Sequence, residues 1–101
     1  DHNFVLNHYD GKLRKVASVK DPESGRVMEV FTDLPAMQVS SGNFLAGGPA
    51  GKNGAVYVKR SGLAMETQYC PDAIHHENFV SPILKAGEVY DTVTVYKFHA
   101  E

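Results

Sequence analysis

The chain has 101 residues, enough for one domain with a modest core, because a domain of this size buries only about two-thirds of its unfolded surface. Ten basic and twelve acidic residues give a formal net charge of −2, which argues against nucleic acid or an anionic membrane as partner. The single cysteine, Cys70, excludes an intrachain disulfide and favours a reducing, cytoplasmic location, and no membrane-helix or signal-peptide pattern occurs.

The first third of the chain predicts three short β-strands, at residues 4–6, 13–19 and 26–32. The second and third are separated by the sequence KDPESG, whose Asp, Pro, Ser and Gly are typical of a hairpin turn. In the third strand both faces carry apolar side chains, so we expect both to be at least partly covered.

The rest of the chain predicts further strands and few helical residues. A glycine-rich loop at residues 42–54 ends in an Asn-Gly turn signal, and strands are predicted at residues 55–59 and 62–67. Residues 69–82 predict a long excursion with one short helical turn, and residues 88–98 a last strand with regular alternation. Since no window keeps a helical apolar period, the class is all-β and antiparallel, in a single unit at 1–101.

Three motifs suggest chemistry that their context does not support. The sequence GPAGKNG lacks the first glycine and the final Ser or Thr of a phosphate loop, having Ala46 and Asn53 there. His75 and His76 are adjacent, so on a strand they would point to opposite faces, and no metal-ligand spacing accompanies them. Cys70 has no basic neighbour in sequence to activate a thiolate. We therefore expect neither a metal nor an organic cofactor.

Glu66 is the acidic residue of the segment SGLAMETQYCPDA. On a strand it shares its face with Gly62, Ala64 and Gln68, while the larger side chains alternate to the other face. A carboxylate and an amide among small residues are typical of the floor of a polar pocket. Periodicity alone favours a solvent-facing polar row, on a sheet with one buried side, over such a site.

Four sequence motifs follow one another along the chain: DHNF, DPESGRVMEVFTDLPAMQVSSGNFLAG, GKNGAVYVKRSGLAMETQYCPDA and SPILKAGEVYDTVTVYKF. Together they resemble the galactose mutarotase (aldose 1-epimerase) family over nearly the whole chain. The resemblance implies an antiparallel β-sandwich belonging to a larger supersandwich, of which this chain is the C-terminal portion. It also implies interconversion of the α and β anomers of free hexoses such as galactose and glucose, without a cofactor.

Site residues follow from the resemblance position by position. Glu66, in METQ, would be the general base that takes the proton of the anomeric hydroxyl, while Asp1 of DHNF and Gln38 would bind sugar hydroxyls. The family's catalytic histidines belong to sequence that this chain does not contain, and His2 does not take their place. Where aromatic residues are common after the glutamine, this chain has Val39 and Ser40, which removes an expected apolar wall.

The interpretation is therefore an aldose 1-epimerase fragment that is inactive by itself and associates with the missing N-terminal part or with itself. The alternative is a noncatalytic carbohydrate-binding β-sandwich that kept the pocket floor and lost the chemistry. A purely structural β domain is a third hypothesis.

Overall fold

Six strands form two three-stranded antiparallel sheets in the computed structural model, which describes residues 1–101. The strands are β1 (His2–Val5), β2 (Arg14–Lys20), β3 (Arg26–Thr32), β4 (Ala36–Ser40), β5 (Ala64–Gln68) and β6 (Thr94–Ala100). One sheet has the order β1-β4-β5 and the other β2-β3-β6. The only helical segments are 3₁₀ turns at Lys52–Gly54 and Ala73–His75, and no helix has the length and apolar character to cross a membrane. The predicted all-β, antiparallel class is confirmed.

The β2–β3 hairpin forms because its turn residues satisfy one another. The Asp21 carboxylate accepts hydrogen bonds from the Ser24 hydroxyl at 2.6 Å and from the backbone N–H groups of Glu23 and Ser24. Gly25 follows with φ of 75°, a conformation that glycine adopts without steric cost. A Cβ there would collide with the carbonyl oxygen of Glu101, so the end of β6 also closes on this turn. The predicted hairpin is confirmed.

The two sheets meet along β5 and β6. The hydroxyl oxygens of Thr67 and Thr94 lie 2.5 Å apart, and the Tyr96 hydroxyl donates to the backbone carbonyl of Met65 at 2.6 Å. Met65 and Thr67 alternate with Glu66, so the face of β5 that carries Glu66 points away from the other sheet. The first sheet therefore has one packed face and one open face.

The core is small and centred on β3, β4 and the connection between them. Its buried side chains are Val27, Val30, Thr32, Leu34, Ala36, Met37 and Ala73. The connection carries the chain from one sheet to the other, and Arg14 holds it by donating from Nη1 to the carbonyls of Thr32 and Leu34, at 2.9 Å each. The Thr32 hydroxyl accepts from the Leu34 N–H at 3.1 Å, which satisfies a buried donor at the crossover.

Two predicted strands differ from the structure, and one observed strand was not predicted. Residues 55–59 form no strand, and only the second half of 88–98 is a strand, which begins at Thr94 and continues to Ala100. A strand needs a neighbour to pair with, and no other segment of the chain pairs with residues 55–59, where Val56 is 78% exposed. Conversely, β4 was not predicted, because AMQVS has little intrinsic β-propensity, yet pairing on both edges holds it at the centre of its sheet.

The remaining predictions are confirmed with small shifts of boundary. Strands predicted at 4–6, 13–19 and 62–67 are displaced by one or two residues, and the strand at 26–32 has the predicted bounds. The glycine-rich loop contains an Asn-Gly turn in which Asn53 and Gly54 both have positive φ. The excursion after β5 contains the predicted short helical turn, at Ala73–His75.

Candidate functional site

The open face of the β1-β4-β5 sheet carries a row of polar side chains, and this site face includes all three predicted site residues. Antiparallel register pairs Asn3 with Gln38 and Gln38 with Glu66, so these three lie side by side across the sheet. Two residues further along each strand, the same face continues with Asp1, Ser40 and Ala64, because side chains alternate with period two. The register thus brings Asp1, Gln38 and Glu66 together from segments distant in sequence.

Asp1 is held against β4 by one strong hydrogen bond. The Ser40 hydroxyl donates to the Asp1 carboxylate at 2.6 Å, in the length range of charge-assisted bonds. Ser40 occupies the site-face position at which an aromatic residue was expected from the resemblance, while Val39 alternates to the packed face. The side chain that replaces the apolar wall therefore orients a carboxylate instead.

Gln68 connects the amides of the site face. Its Nε2 donates to Asn3 Oδ1 at 2.8 Å and to Gln38 Oε1 at 3.1 Å. Asn3 in turn donates from Nδ2 to the sulfur of Cys70 at 3.4 Å, which places the lone cysteine at the end of the network. The four side chains are partly buried and form a continuous hydrogen-bonded chain beside Glu66.

Glu66 lines an open cavity of about 300 Å³. The cavity is lined by Ser40, Gly42, Leu45, Gly62, Leu63, Ala64 and Glu66. Small residues on β5 and in the adjoining loops leave this space above the sheet, as expected for a pocket floor. The Glu66 carboxylate is exposed and accepts no hydrogen bond from the protein, so both of its oxygens are free to accept bonds from a ligand.

One wall of this cavity depends on the close approach of two loops at Gly42. The carbonyl of Gly42 accepts from the Arg60 N–H at 2.8 Å, which ties the loop after β4 to the loop before β5. Gly42 has φ of 71°, and a Cβ there would lie 2.8 Å from the Gly62 carbonyl oxygen. A larger residue at Gly42 would push the wall away from Glu66.

Histidines do not contribute to the site face. His2 alternates to the packed face of β1, and His99 lies on β6, 3.5 Å from a Glu101 carboxylate oxygen. His75 and His76 both contact Asp72, at 2.5 and 3.2 Å, in the exposed turn after β5. The bond from His75, followed by that from His76, lowers the pKa of Asp72. The site face thus contains carboxylates and other hydrogen-bonding groups, and no histidine.

No group of three or more His, Cys, Asp or Glu side chains is arranged so that it could hold a metal ion.

A second cavity, of about 100 Å³, is polar and lies between Tyr9, Asp33 and Tyr69. Partial burial raises the pKa of the Tyr69 hydroxyl, and the nearby Tyr90, Tyr9 and Asp33 raise it further. This hydroxyl remains protonated near neutral pH and can act only as a neutral hydrogen-bonding group.

Asp1, Gln38 and Glu66 were predicted from the sequence, whereas two other residues of the site face were not: Ser40, which contacts Asp1, and Asn3, the cross-strand partner of Gln38. Ser40 stood out only as a departure from an aromatic pattern, and Asn3 carried no signal at all. Gln68 was placed on the face of Glu66 as a hydrogen-bonding group of a pocket floor, without a named partner. Pairing of β1 with β4 is the missing information, since it brings Asn3 and Asp1 next to strands far along the chain.

Comparison with known proteins gives consistent matches over nearly the whole chain. The family model described as aldose 1-epimerase matches residues 1–97. The chain is 48% identical to galactose mutarotase of Homo sapiens over 100 residues and 46% identical to that of Mus musculus over 99, in each case covering 97% of this chain. It is 35% identical over 103 residues to aldose 1-epimerase of Escherichia coli strain K12. The chain spans 28% of the length of the two mammalian relatives and 30% of the bacterial one.

Proposed function

Because this chain belongs to the aldose 1-epimerase family, we propose that its site face forms part of an active site that interconverts the α and β anomers of free hexoses. Galactose and glucose are the proposed substrates. The observation that carries the proposal is the register of β4 and β5, which aligns Gln38 with Glu66 and leaves the carboxylate free above an open cavity. Asp1, in the next row, supplies a second carboxylate for sugar hydroxyls.

Ring opening of a hexose removes a proton from the anomeric hydroxyl and adds one to the ring oxygen. We assign the first step to Glu66, whose exposed carboxylate can reach a hydroxyl of a sugar lying in the cavity. The C1 carbonyl then rotates, and closure on its other face returns the proton and gives the other anomer. A positioned base and acid that act together avoid charged intermediates, and each contributes about 10²- to 10⁴-fold.

The acid is proposed to come from outside residues 1–101, since no histidine of this chain lies on the site face. In this proposal the chain acts within a protein of about its relatives' length, in a larger β-sandwich. The term full-length protein denotes a polypeptide of that length that contains residues 1–101. It is either a natural protein or a chimera in which residues 1–101 replace the matching segment of human galactose mutarotase.

The alternative is a noncatalytic sugar-binding module, which is favoured by the replacement of an aromatic wall by Val39 and Ser40. Two measurements on the full-length protein separate the hypotheses: polarimetry of freshly dissolved α-galactose, and calorimetric titration with galactose. Accelerated equilibration of the anomers supports the epimerase. Binding at millimolar affinity without acceleration supports the module, and neither binding nor acceleration contradicts both.

A further inference from the structure

Gln68 lies at the centre of the amide network on the site face, and it contacts one residue on each of the other two strands of its sheet, β4 and β1. We propose that Gln68 is a positioning residue that holds the Gln38 side chain with its N–H₂ group directed at the sugar. This inference rests on the proposed function, since it assigns a role to Gln68 in recognising the same hexose. It concerns binding rather than the proton transfer itself.

In the structure, the hydrogen bonds of the network give each amide one orientation. Gln68 Nε2 has two hydrogens, and they go to Asn3 Oδ1 and Gln38 Oε1. Since Gln38 uses its oxygen toward Gln68, its Nε2 is on the other side of the amide and has no protein acceptor. At the far end of the network, Asn3 donates from Nδ2 to the sulfur of Cys70 at 3.4 Å.

This orientation places a free donor, the Nε2 group of Gln38, beside a free acceptor, the Glu66 carboxylate. Gln38 and Glu66 are direct cross-strand partners, so the Nε2 of one and the carboxylate of the other border the same space. A sugar hydroxyl matches this pair, because it can donate its hydrogen to Glu66 and accept from Gln38 at the same time. With the Gln38 amide reversed, two acceptors would stand side by side, and a hydroxyl could satisfy only one of them.

A double-mutant cycle in the full-length protein tests this role, with the dissociation constant for galactose measured by calorimetry. Gln68→Met keeps the length of the side chain and removes both donors. One hydrogen bond contributes about 0.5 to 1.5 kcal/mol, so we expect galactose affinity to fall about 2- to 13-fold. In a protein that already carries Gln38→Met, adding Gln68→Met should change affinity less than about twofold, because Gln68 acts through Gln38.

Two further variants separate positioning from general structural damage. Thr67→Val alters the neighbouring residue of β5 on the packed face, away from the network, and should leave galactose affinity unchanged. Gln68→Glu keeps the shape and replaces the donor by an acceptor, so it should weaken binding at least as much as Gln68→Met. Thermal unfolding of each variant shows whether the fold is retained.

The proposal is overturned if Gln68→Met leaves the affinity for galactose unchanged. It is also overturned if Gln68→Met lowers this affinity equally in the parent protein and in the Gln38→Met variant. Equal losses in the Thr67→Val control would also overturn it, because they would indicate a purely structural effect on β5. The affinity cycle does not depend on turnover. Absence of mutarotation in the parent protein would therefore contradict the epimerase while the cycle still decides the role of Gln68.

Discussion

At the scale of single residues, the site face combines free groups with groups that the protein holds in place. Glu66 has no protein partner, whereas the Asp1 carboxylate accepts from Ser40 and the Gln38 oxygen accepts from Gln68. Free groups are suited to proton transfer or ligand contact, and held groups are preorganised, so less orientational freedom is lost when a sugar binds. The division agrees with the proposed roles, in which Glu66 reacts and Asp1 and Gln38 bind.

Ser40→Ala tests the contribution of the held carboxylate. Without the hydroxyl, Asp1 loses a charge-assisted hydrogen bond and its fixed orientation, so KM for galactose should rise about 3- to 10-fold while kcat changes little. Polarimetry of the full-length protein gives both constants. Ser41→Ala is a matched control, since the Ser41 hydroxyl contacts only Asn43. A rise in KM that is equal in both variants would contradict a specific role for Ser40.

At the scale of elements, strand pairing decided where sequence prediction succeeded. The β2–β3 hairpin was predictable because its turn chemistry lies within one short segment, KDPESG. Residues 55–59 have strong β-propensity and form no strand, since no other segment of this chain pairs with them. AMQVS, which was not predicted as a strand, becomes the central strand β4 because β1 and β5 both pair with it.

The candidate site, like the fold, was predictable where the information lies within one strand and not where it depends on pairing between strands. Alternation along a single strand is enough to place Glu66 and Gln68 on one face. The resemblance named Asp1 and Gln38, but only the register of β1 and β5 on β4 shows that these residues are neighbours. Contacts across strands, such as Asn3 with Gln68, are long-range and leave no local signal in the sequence.

The turn of the β2–β3 hairpin predicts a pH dependence of stability. Bonds from the Ser24 hydroxyl, and then from backbone N–H groups, lower the pKa of Asp21 below its value in the unfolded chain. The free energy of unfolding therefore includes a contribution that is present above pH about 4 and is lost as pH falls through the lower, folded pKa. Asp21→Asn should remove part of this acid-dependent loss in urea unfolding of the full-length protein.

The control for this prediction is Glu23→Gln, in the same turn, because the Glu23 side chain makes no hydrogen bond within the protein. It should leave the acid dependence close to that of the parent. Glu29, Asp72 and Glu101 also have lowered pKa values, so some loss of stability at low pH should remain in Asp21→Asn. An identical acid dependence in parent and Asp21→Asn would contradict the role of this turn.

At the scale of the whole molecule, the chain exposes much more surface than its size requires. Its accessible surface is 7597 Å², whereas a folded monomer of this mass has about 5,700 Å². The radius of gyration is 16.4 Å, against about 12.7 Å for a compact domain of this length. Large apolar side chains contribute to this surface, among them Phe44 at 90% and Phe98 at 72% exposed. Such surface is typical of faces that another segment or copy covers.

We therefore expect the isolated chain to associate with itself and to be inactive. Exposed apolar side chains and unpaired strand edges favour association, and the acid of the proposed mechanism is absent. Sedimentation at several concentrations should show species larger than 11.1 kDa, and polarimetry should show no acceleration by the chain alone. A monomer that accelerates mutarotation at the rate of the full-length protein would contradict both expectations.

The most direct test of the central claim, that Glu66 is the general base, is the rate of mutarotation of the full-length Glu66→Gln variant. The amide keeps the shape of the side chain and cannot take the proton of the anomeric hydroxyl, so kcat should fall at least about 100-fold. Because Glu66 is exposed, the thermal stability should not change, and the exposed Glu77→Gln should retain full activity. A Glu66→Gln protein that equilibrates galactose anomers as fast as its parent would contradict the assignment.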